Sequence, residues 1–167
     1  MTSRAVSFPP IVAPSPRALV LGSMPGTESL RQKQYYAHPR NSFWRIMGAL
    51  FDAPVETYAE RRALIRGNGL ALWDVLKSCT RRGSLDSNIR NAEANDFAAF
   101  LKKYAHITRV FFNGATAEKE FRRRVLPVLP EKTAARLALK RLPSTSPAHA
   151  GMNLALKTKE WMILKGE

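Results

Sequence analysis

Arg17-Ala-Leu-Val-Leu-Gly22 is a compact apolar run that stops at a glycine. Such a run is typical of a strand that is buried on both faces of a parallel sheet. Three later segments also have strand character: residues 70–75, 109–112 and 135–142. The last of these alternates leucines with basic residues, which is the pattern of a strand with one face in water. This apolar run therefore predicts the first of four strands.

Segments with helical spacing lie between these strands. Their apolar residues recur at the 3.6-residue period of a helix with one buried face, and they cover residues 41–50, 56–66, 95–101, 115–126 and 153–164. Strands that alternate with helices imply parallel strands joined by right-handed crossovers. We therefore expect the α/β class, as a three-layer α/β/α sandwich with a central, mostly parallel four-stranded sheet. Residues 1–16 are expected to form an extended arm and residues 17–167 a single domain, in which residues 77–93 form a polar loop.

The chain is strongly basic. Its 167 residues contain 27 Lys and Arg against 13 Asp and Glu, for a formal net charge of +14. A charge of this size favours an anionic partner, with nucleic acid first and an anionic membrane surface second. A basic chain without such a partner is the simpler alternative.

The single cysteine, Cys79, excludes an internal disulfide and a cysteine-rich zinc or iron–sulfur site. It indicates a reducing compartment, and no apolar run approaches the length of a membrane span. The expectation is a cytoplasmic monomer that needs no metal and no cofactor.

Polar and glycine-rich segments follow each predicted strand. They are residues 22–26, 73–74, 113–114 and 143–150. In open parallel sheets ligands bind at the carboxyl ends of the strands. These segments are therefore expected to meet at one rim. By itself, Gly22-Ser-Met-Pro-Gly26 is better explained as a tight turn, because it lacks the spacing of a dinucleotide or phosphate loop.

Residues 35–44, Tyr-Tyr-Ala-His-Pro-Arg-Asn-Ser-Phe-Trp, place four aromatic rings beside a histidine, an arginine and an asparagine. Aromatic rings stack on unpaired bases, and an arginine near a helix N-terminus attracts phosphate. The spacing favours Trp44 as a core residue, and Phe43 fits the core or a site equally.

Two further segments could carry recognition chemistry. The amide of Asn113 offers a donor and an acceptor that match the edge of a nucleobase, although Asn-Gly is commonly only a turn. Residues 143–150 form a stiff loop of small residues that could enter a DNA groove. His149 in this loop could face an extruded base or lie idle in solvent. The Arg122-Arg-Arg124 triplet is expected to be a solvated helix face.

The chain has no convincing metal-ligand spacing and no nucleophile elbow, which favours a reaction run by water and positioning. Five stretches in order then carry a family resemblance: residues 21–30, residues 35–44, residues 72–75 with 83–89, residues 112–117 and residues 142–149. In them the chain resembles the uracil-DNA glycosylase superfamily, and most closely its hypoxanthine-DNA glycosylase branch. The resemblance runs from about residue 17 to residue 150.

The resemblance implies roles for particular residues. Met24 stands where uracil-removing relatives carry an Asp or Asn that activates water, and the single cysteine excludes the iron–sulfur branches. Asn41 is implied as the residue that holds the attacking water, and His149 as a stabiliser of the leaving base. Substrate-binding residues are implied as Gly22, Ser23, Met24, Pro25, Gly26, Tyr36, Phe43, which stacks on the flipped base, and Asn113, which reads its edge. DNA contacts are implied for Arg40, Ser144, Thr145, Ser146, Pro147 and Ala148, the last five in a loop to residue 150 that wedges the duplex.

We therefore expect a base-excision glycosylase that acts on damaged duplex or single-stranded DNA. Hypoxanthine is the expected base, and the expected product is an abasic site without strand cleavage. The alternatives are a uracil or mismatch glycosylase of the same superfamily, a non-catalytic nucleic-acid binder, and a nucleotide-binding regulatory domain.

Overall fold

The computed structural model describes residues 4–149 and 151–166. Residues 1–3 of the expected arm, Ala150 of the expected wedge loop and residue 167 of the expected domain lie outside the described residues. The strands are β1 Arg4–Val6, β2 Ile11–Val12, β3 Ala18–Gly22, β4 Leu70–Asp74, β5 Leu76–Thr80, β6 Arg90–Ala94, β7 Arg109–Asn113 and β8 Ala138–Leu142. The helices are α1 Thr27–Gln32, α2 Phe43–Phe51, α3 Tyr58–Gly67, α4 Phe97–Lys103, α5 Ala115–Arg124, α6 Glu131–Ala135 and α7 Leu154–Trp161.

The central sheet has the strand order β2-β4-β3-β7-β8. Strands β4, β3, β7 and β8 are parallel, with Ala18 opposite both Leu70 and Arg109. The mostly parallel α/β class is thus confirmed, but the sheet has five strands rather than the expected four. The additional strand β2 pairs antiparallel with β4 at one edge. It has two residues, which is too short for a periodicity signal.

Helices cover both faces of this sheet, and β3 shows why. Ala18 and Val20 join a core cluster with residues of α2, α3 and α7 on one face. Leu19 and Leu21 join a second cluster with residues of α4 and α5 on the other. Successive strand residues point to opposite faces of the sheet. Because both faces of β3 are covered by helices, every residue of this strand must be apolar or small. The three-layer arrangement is confirmed.

A second, three-stranded sheet has the order β1-β5-β6 and is antiparallel. Residues 77–93 were expected to form a polar loop, so β5 and β6 correct that prediction. Every residue of β6 is exposed or half-buried, and the pairing with β5 is irregular. A polar, irregular strand of this kind has no clear period-2 pattern. The described part of the expected arm is extended, and its strands β1 and β2 belong to the two sheets.

Element ends also differ from the prediction. The strand expected over residues 135–142 begins at Ala138, because residues 131–135 form the short helix α6. The last helix ends at Trp161 and continues as a 3-10 turn over Met162–Lys165. Among the described residues, no helix is long and apolar enough to cross a membrane.

Candidate active site

A cavity of about 540 Å³ opens where the central parallel strands end. Gly22 and Asp74 end β3 and β4, Asn113 ends β7, and residues 144–149 follow β8; all of them line the cavity. The predicted convergence of these segments at one rim is therefore seen in the structure. A volume of this size is typical of a small-molecule or base pocket.

The first loop, residues 22–26, lines the cavity along its whole length. Gly22 has no room for a side chain, because a Cβ there would lie 2.6 Å from Asp74 Oδ1 and 2.8 Å from the Tyr36 hydroxyl oxygen. The carbonyls of Gly22 and Ser23 accept hydrogen bonds from the backbone of Val75 (2.8 Å) and Leu76 (3.1 Å). Strand β3 and the start of β5 thus hold this loop in place.

A buried arginine, Arg81, also stabilises this loop. Arg81 donates a hydrogen bond from Nη2 to the Pro25 carbonyl and lies 3.7 Å from Asp86 Oδ1. Asp86 in turn accepts a hydrogen bond from the Ser23 hydroxyl at 2.9 Å. Neither Arg81 nor Asp86 was assigned a role from the sequence, because they lie in the segment that was expected to be a loop.

The aromatic stretch divides between the cavity and the core. Tyr35 and Tyr36 line the cavity. Phe43 is fully buried at 0% exposure and is not among the lining residues, so its expected direct stacking on a base is wrong for this structure. Its ring instead stacks on Tyr36, with centroids 4.2 Å apart. Phe43 and Trp44 both belong to the apolar core, as expected for Trp44, whereas Phe43 had been open between core and site.

Asn41 lines the cavity and is half-buried. Its Oδ1 accepts a hydrogen bond from the backbone N–H of Phe43 at 3.0 Å, which fixes the amide at the start of α2. An amide has a second oxygen lone pair and two N–H donors beyond this bond. The side chain can therefore bind a water molecule while the helix holds it still.

Asn113 lies on the same cavity, and its amide is clamped by one residue of the loop that follows β8. Its Nδ2 donates to the Thr145 hydroxyl, and its Oδ1 accepts from the Thr145 backbone N–H, both at 2.9 Å. The carbonyl of Thr145 also accepts from the Ser42 backbone N–H at 3.1 Å. Thr145 thereby ties the end of β7 to the start of α2.

This clamp corrects one expected DNA contact. Thr145 is 1% exposed, so it cannot reach a duplex without a rearrangement of the loop. The neighbouring loop residues Pro147, Ala148 and His149 are exposed. The loop therefore has an inner residue that binds the protein and an outer tip that is free to contact a ligand.

Ser144, Ser146 and His149 also line the cavity. His149 is held by its backbone, whose N–H donates to the Ser146 carbonyl and whose carbonyl accepts from Lys157 Nζ. Arg40 is exposed and is not among the lining residues. This position is compatible with a contact to the DNA backbone outside the pocket.

Asp74 and His38 also line the cavity, and neither was assigned a role from the sequence. Asp74 is 3% exposed. Desolvation by burial raises the pKa of its carboxyl from 3.8 to about 7, the nearby Asp86 adds to this, and Arg81 opposes it. Burial, followed by the charge of Asp74, also raises the pKa of Tyr36 well above its ordinary value. Strand β4 was predicted to end at the rim, and that position was the available signal for Asp74.

These features define an α/β sandwich protein with a polar cleft at the carboxyl ends of its parallel strands. Residues 9–165 match the model of the Uracil DNA glycosylase superfamily. Because the match spans most of the chain, the protein belongs to this superfamily. The family membership that the sequence motifs indicated is confirmed.

Individual relatives agree with the family match. The chain is 37% identical over 109 residues to a protein named hypoxanthine DNA glycosylase from Methanosarcina barkeri, covering 64% of this chain and 69% of the relative. A protein of the same name from Methanosarcina acetivorans is 37% identical over 112 residues, covering 66% of this chain and 71% of the relative. A solution NMR structure from Methanosarcina acetivorans, described as a candidate uracil DNA glycosylase, superposes with a TM-score of 0.81. It has 30% identity, with coverage of 98% of this chain and 97% of that one.

Proposed function

We propose that this protein is a monofunctional DNA glycosylase that removes hypoxanthine from DNA and leaves an abasic site. The observation that carries the proposal is that Asn41 and Asn113, on different elements, line one cavity of about 540 Å³. One amide can hold the attacking water and the other can read the base. The superfamily match and the two relatives named hypoxanthine DNA glycosylase support the same activity.

In this proposal, the protein first binds DNA through electrostatic attraction. A net charge of +14 attracts DNA, and exposed cations such as Arg40 contact phosphates. The exposed tip of the loop after β8, with Pro147 and Ala148, enters the opened duplex. The target nucleotide flips into the cavity at a cost of a few kcal/mol, which is smallest for a mispaired base. Asn113 bonds the base edge through the amide positions that Thr145 leaves free.

The chemical step is hydrolysis of the glycosidic bond. Water held by Asn41 adds to C1′ of the sugar as the C1′–N9 bond breaks, and the bonding electron pair leaves with the base. Met24 lines the cavity and has no acidic or amide group. By the family resemblance it stands where uracil-removing relatives carry a residue that activates water. Positioning of water and stabilisation of the leaving base therefore supply the rate enhancement. His149 contributes to the stabilisation of the leaving base. Tyr36, backed by Phe43, takes the base-contacting role that was expected of Phe43.

A hydrolytic rather than lyase mechanism is supported by the cavity lining. Among the described residues, no lysine lines the cavity. Lys157, which lies close to the loop, directs its amine to the His149 carbonyl at 2.8 Å. A Schiff base with the sugar is therefore not expected, and the DNA strand stays intact.

The proposal is tested with a panel of labelled duplexes that carry one deoxyinosine, one deoxyuridine or one mismatched thymidine. We expect release of hypoxanthine and an alkali-labile abasic site, with no protein–DNA adduct on treatment with borohydride. Release of uracil alone would assign the protein to the uracil-specific alternative. Salt-dependent binding without any product would make it a binding module.

A further inference from the structure

Asp74 is a buried carboxyl group that the mechanism above leaves unused. It ends strand β4, lines the cavity and is 3% exposed. Its Oδ2 has no hydrogen-bond partner among the described residues, and the same holds for the hydroxyl of Tyr36 beside it. Buried polar side-chain atoms are nearly always paired in proteins. Two unpaired polar atoms in one cavity wall therefore point to a ligand that completes them.

The position of Asp74 selects which part of a nucleotide it faces. The exposed residues of the cavity, such as Pro147 and His149, mark its mouth, whereas Asp74 and the Tyr36 hydroxyl mark its closed end. A flipped nucleotide stays attached to the DNA backbone through its sugar, so its base reaches the closed end. In a nucleotide bound this way, Asp74 would face the base, and the sugar would stay nearer the mouth.

The surroundings of the Asp74 carboxyl favour its protonated form. Gly22 leaves the carboxyl directly against the β3 backbone, where a Cβ would approach Oδ1 to 2.6 Å. Its charged and titratable neighbours are Tyr35, Tyr36, the carboxylate of Asp86 and the guanidinium of Arg81. Desolvation outweighs the cation and raises the pKa of Asp74 to about 7. A carboxylic acid kept neutral in this way can donate a proton near neutral pH.

We propose that Asp74 is a catalytic general acid that protonates a ring nitrogen of the departing purine. The inference rests on the proposed glycosylase function. As the C1′–N9 bond breaks, its electron pair moves to the base, and the Asp74 carboxyl gives its proton to that base, which leaves neutral. Water adds to C1′ and releases a proton to solvent, and solvent reprotonates Asp74. The net reaction is addition of one water across the glycosidic bond.

This assignment explains how the cavity works without a carboxylate on the first loop. A purine leaves more readily as a neutral molecule than as an anion, and proton transfer by a positioned acid typically contributes about 100-fold or more to the rate. The acid then acts on the base from the closed end, while Asn41 holds water at the sugar.

The test compares the wild type with Asp74→Asn, which keeps the shape of the side chain but has no acidic proton. Asp52→Asn is the matched control, since Asp52 is exposed, ends α2 in a left-handed conformation that Asn also adopts, and does not line the cavity. Single-turnover rates are measured across pH with excess enzyme on each base of the panel. Affinity is measured on a duplex with non-cleavable 2′-fluoro-deoxyinosine.

We expect the wild-type rate to fall as pH rises through about 7, and the Asp52→Asn rate to follow it. Asp74→Asn should be about 100-fold slower at acidic pH, should lose the fall that Asp74 causes, and should bind the fluorinated duplex as tightly as the wild type. The other residues at the cavity, including His38 and His149, are the same in both proteins, so the difference between the two profiles reports Asp74.

The inference is overturned by an Asp74→Asn rate and pH profile equal to the wild type, or by a wild-type rate that rises with pH through the interval in which Asp74 ionises. A carbon-13 titration of the aspartate carboxyls, assigned with Asp74→Asn, must also show Asp74 titrating near neutral pH; an ordinary acidic titration would overturn it too. The wild-type substrate panel judges the proposed function separately, because it shows which base is released whatever Asp74 does. Release of no base overturns both.

Discussion

Thr145 and Asn113 are joined by two hydrogen bonds of 2.9 Å. Asn113 Nδ2 donates to the Thr145 hydroxyl oxygen, and the Thr145 backbone N–H donates to Asn113 Oδ1. The pair links the end of strand β7 to the loop that follows β8. One amide hydrogen and one oxygen lone pair of Asn113 are used, and the others stay available for a ligand. The orientation of the Asn113 amide is therefore set by Thr145, which is itself shielded from solvent.

Thr145→Val tests this relationship. The valine keeps the shape but removes the hydroxyl that accepts from Asn113, so the amide loses one of its two fixed contacts. We expect a loss of about 1 kcal/mol in the free energy of unfolding and a lower rate of base release, with little change in DNA affinity. Thr145→Ser, which keeps the hydroxyl, should retain most of the rate. Equal rates for the Val and Ser variants would contradict the role of the clamp.

Gly22→Ala tests the close packing under the first loop. The new Cβ would lie within 3 Å of both Asp74 Oδ1 and the Tyr36 hydroxyl, so both of these cavity-lining side chains must shift. We expect a loss of stability of roughly 1–3 kcal/mol and a strong loss of activity. Gly67→Ala is the control, because nothing lies within 4 Å of its added Cβ, and it should be neutral or mildly stabilising. Thermal unfolding and single-turnover assays of both variants decide the matter.

Asn41→Ala removes the amide that is proposed to hold the attacking water. We expect base release to fall by about 100-fold or more while affinity for damaged DNA is kept. The variant also loses the bond to the Phe43 N–H, at a cost of about 1 kcal/mol. Asp96→Ala loses a comparable helix-start bond at α4, to Ala99, away from the cavity, and should keep its activity. Near-normal turnover of Asn41→Ala would remove this residue from the mechanism.

The raised pKa of Asp74 also affects stability. In the unfolded chain this carboxyl ionises near 3.8, and in the folded protein near 7. The folded state therefore holds the proton more tightly, and the contribution of Asp74 to stability falls as pH rises across that interval and is constant above it. Asp74→Asn should thus be more stable than the wild type above about pH 7, by at most about 4 kcal/mol, and the advantage should vanish below about pH 4. Urea unfolding at several pH values measures this difference; a difference that does not change with pH would count against it.

Arg40→Gln tests the contact between the site's exposed rim and DNA. Arg40 is exposed beside Asn41, so removal of its charge should weaken binding to all sequences and lower the slope of log affinity against log salt by about 1. Arg66→Gln is the control, since Arg66 is exposed near the amino end of β4, at the opposite edge of the sheet. Equal salt slopes for the two variants would show that Arg40 does not contact phosphate.

The sequence alone was sufficient to predict the parallel sheet and much of its ligand edge. Runs such as residues 17–22 must be buried on both faces, and the carboxyl ends of parallel strands meet at one edge whatever the loops contain. This is why Asn113 and the first loop were expected together at one rim, whereas the role of Asn41 was implied by the family resemblance. The structure places all of them on one cavity. The short strand β2 and the polar strand β6 were missed, because their pairing depends on partners far away in the chain.

Only the tertiary structure decided which side chains at that edge are buried and which groups they meet. Phe43 is enclosed behind Tyr36, and Thr145 is turned inward onto Asn113. The pKa of Asp74 is raised because the packing of β3 against β4 excludes water from its carboxyl. Local sequence patterns report which face of an element is apolar, whereas desolvation and hydrogen bonding depend on residues brought together from distant parts of the chain.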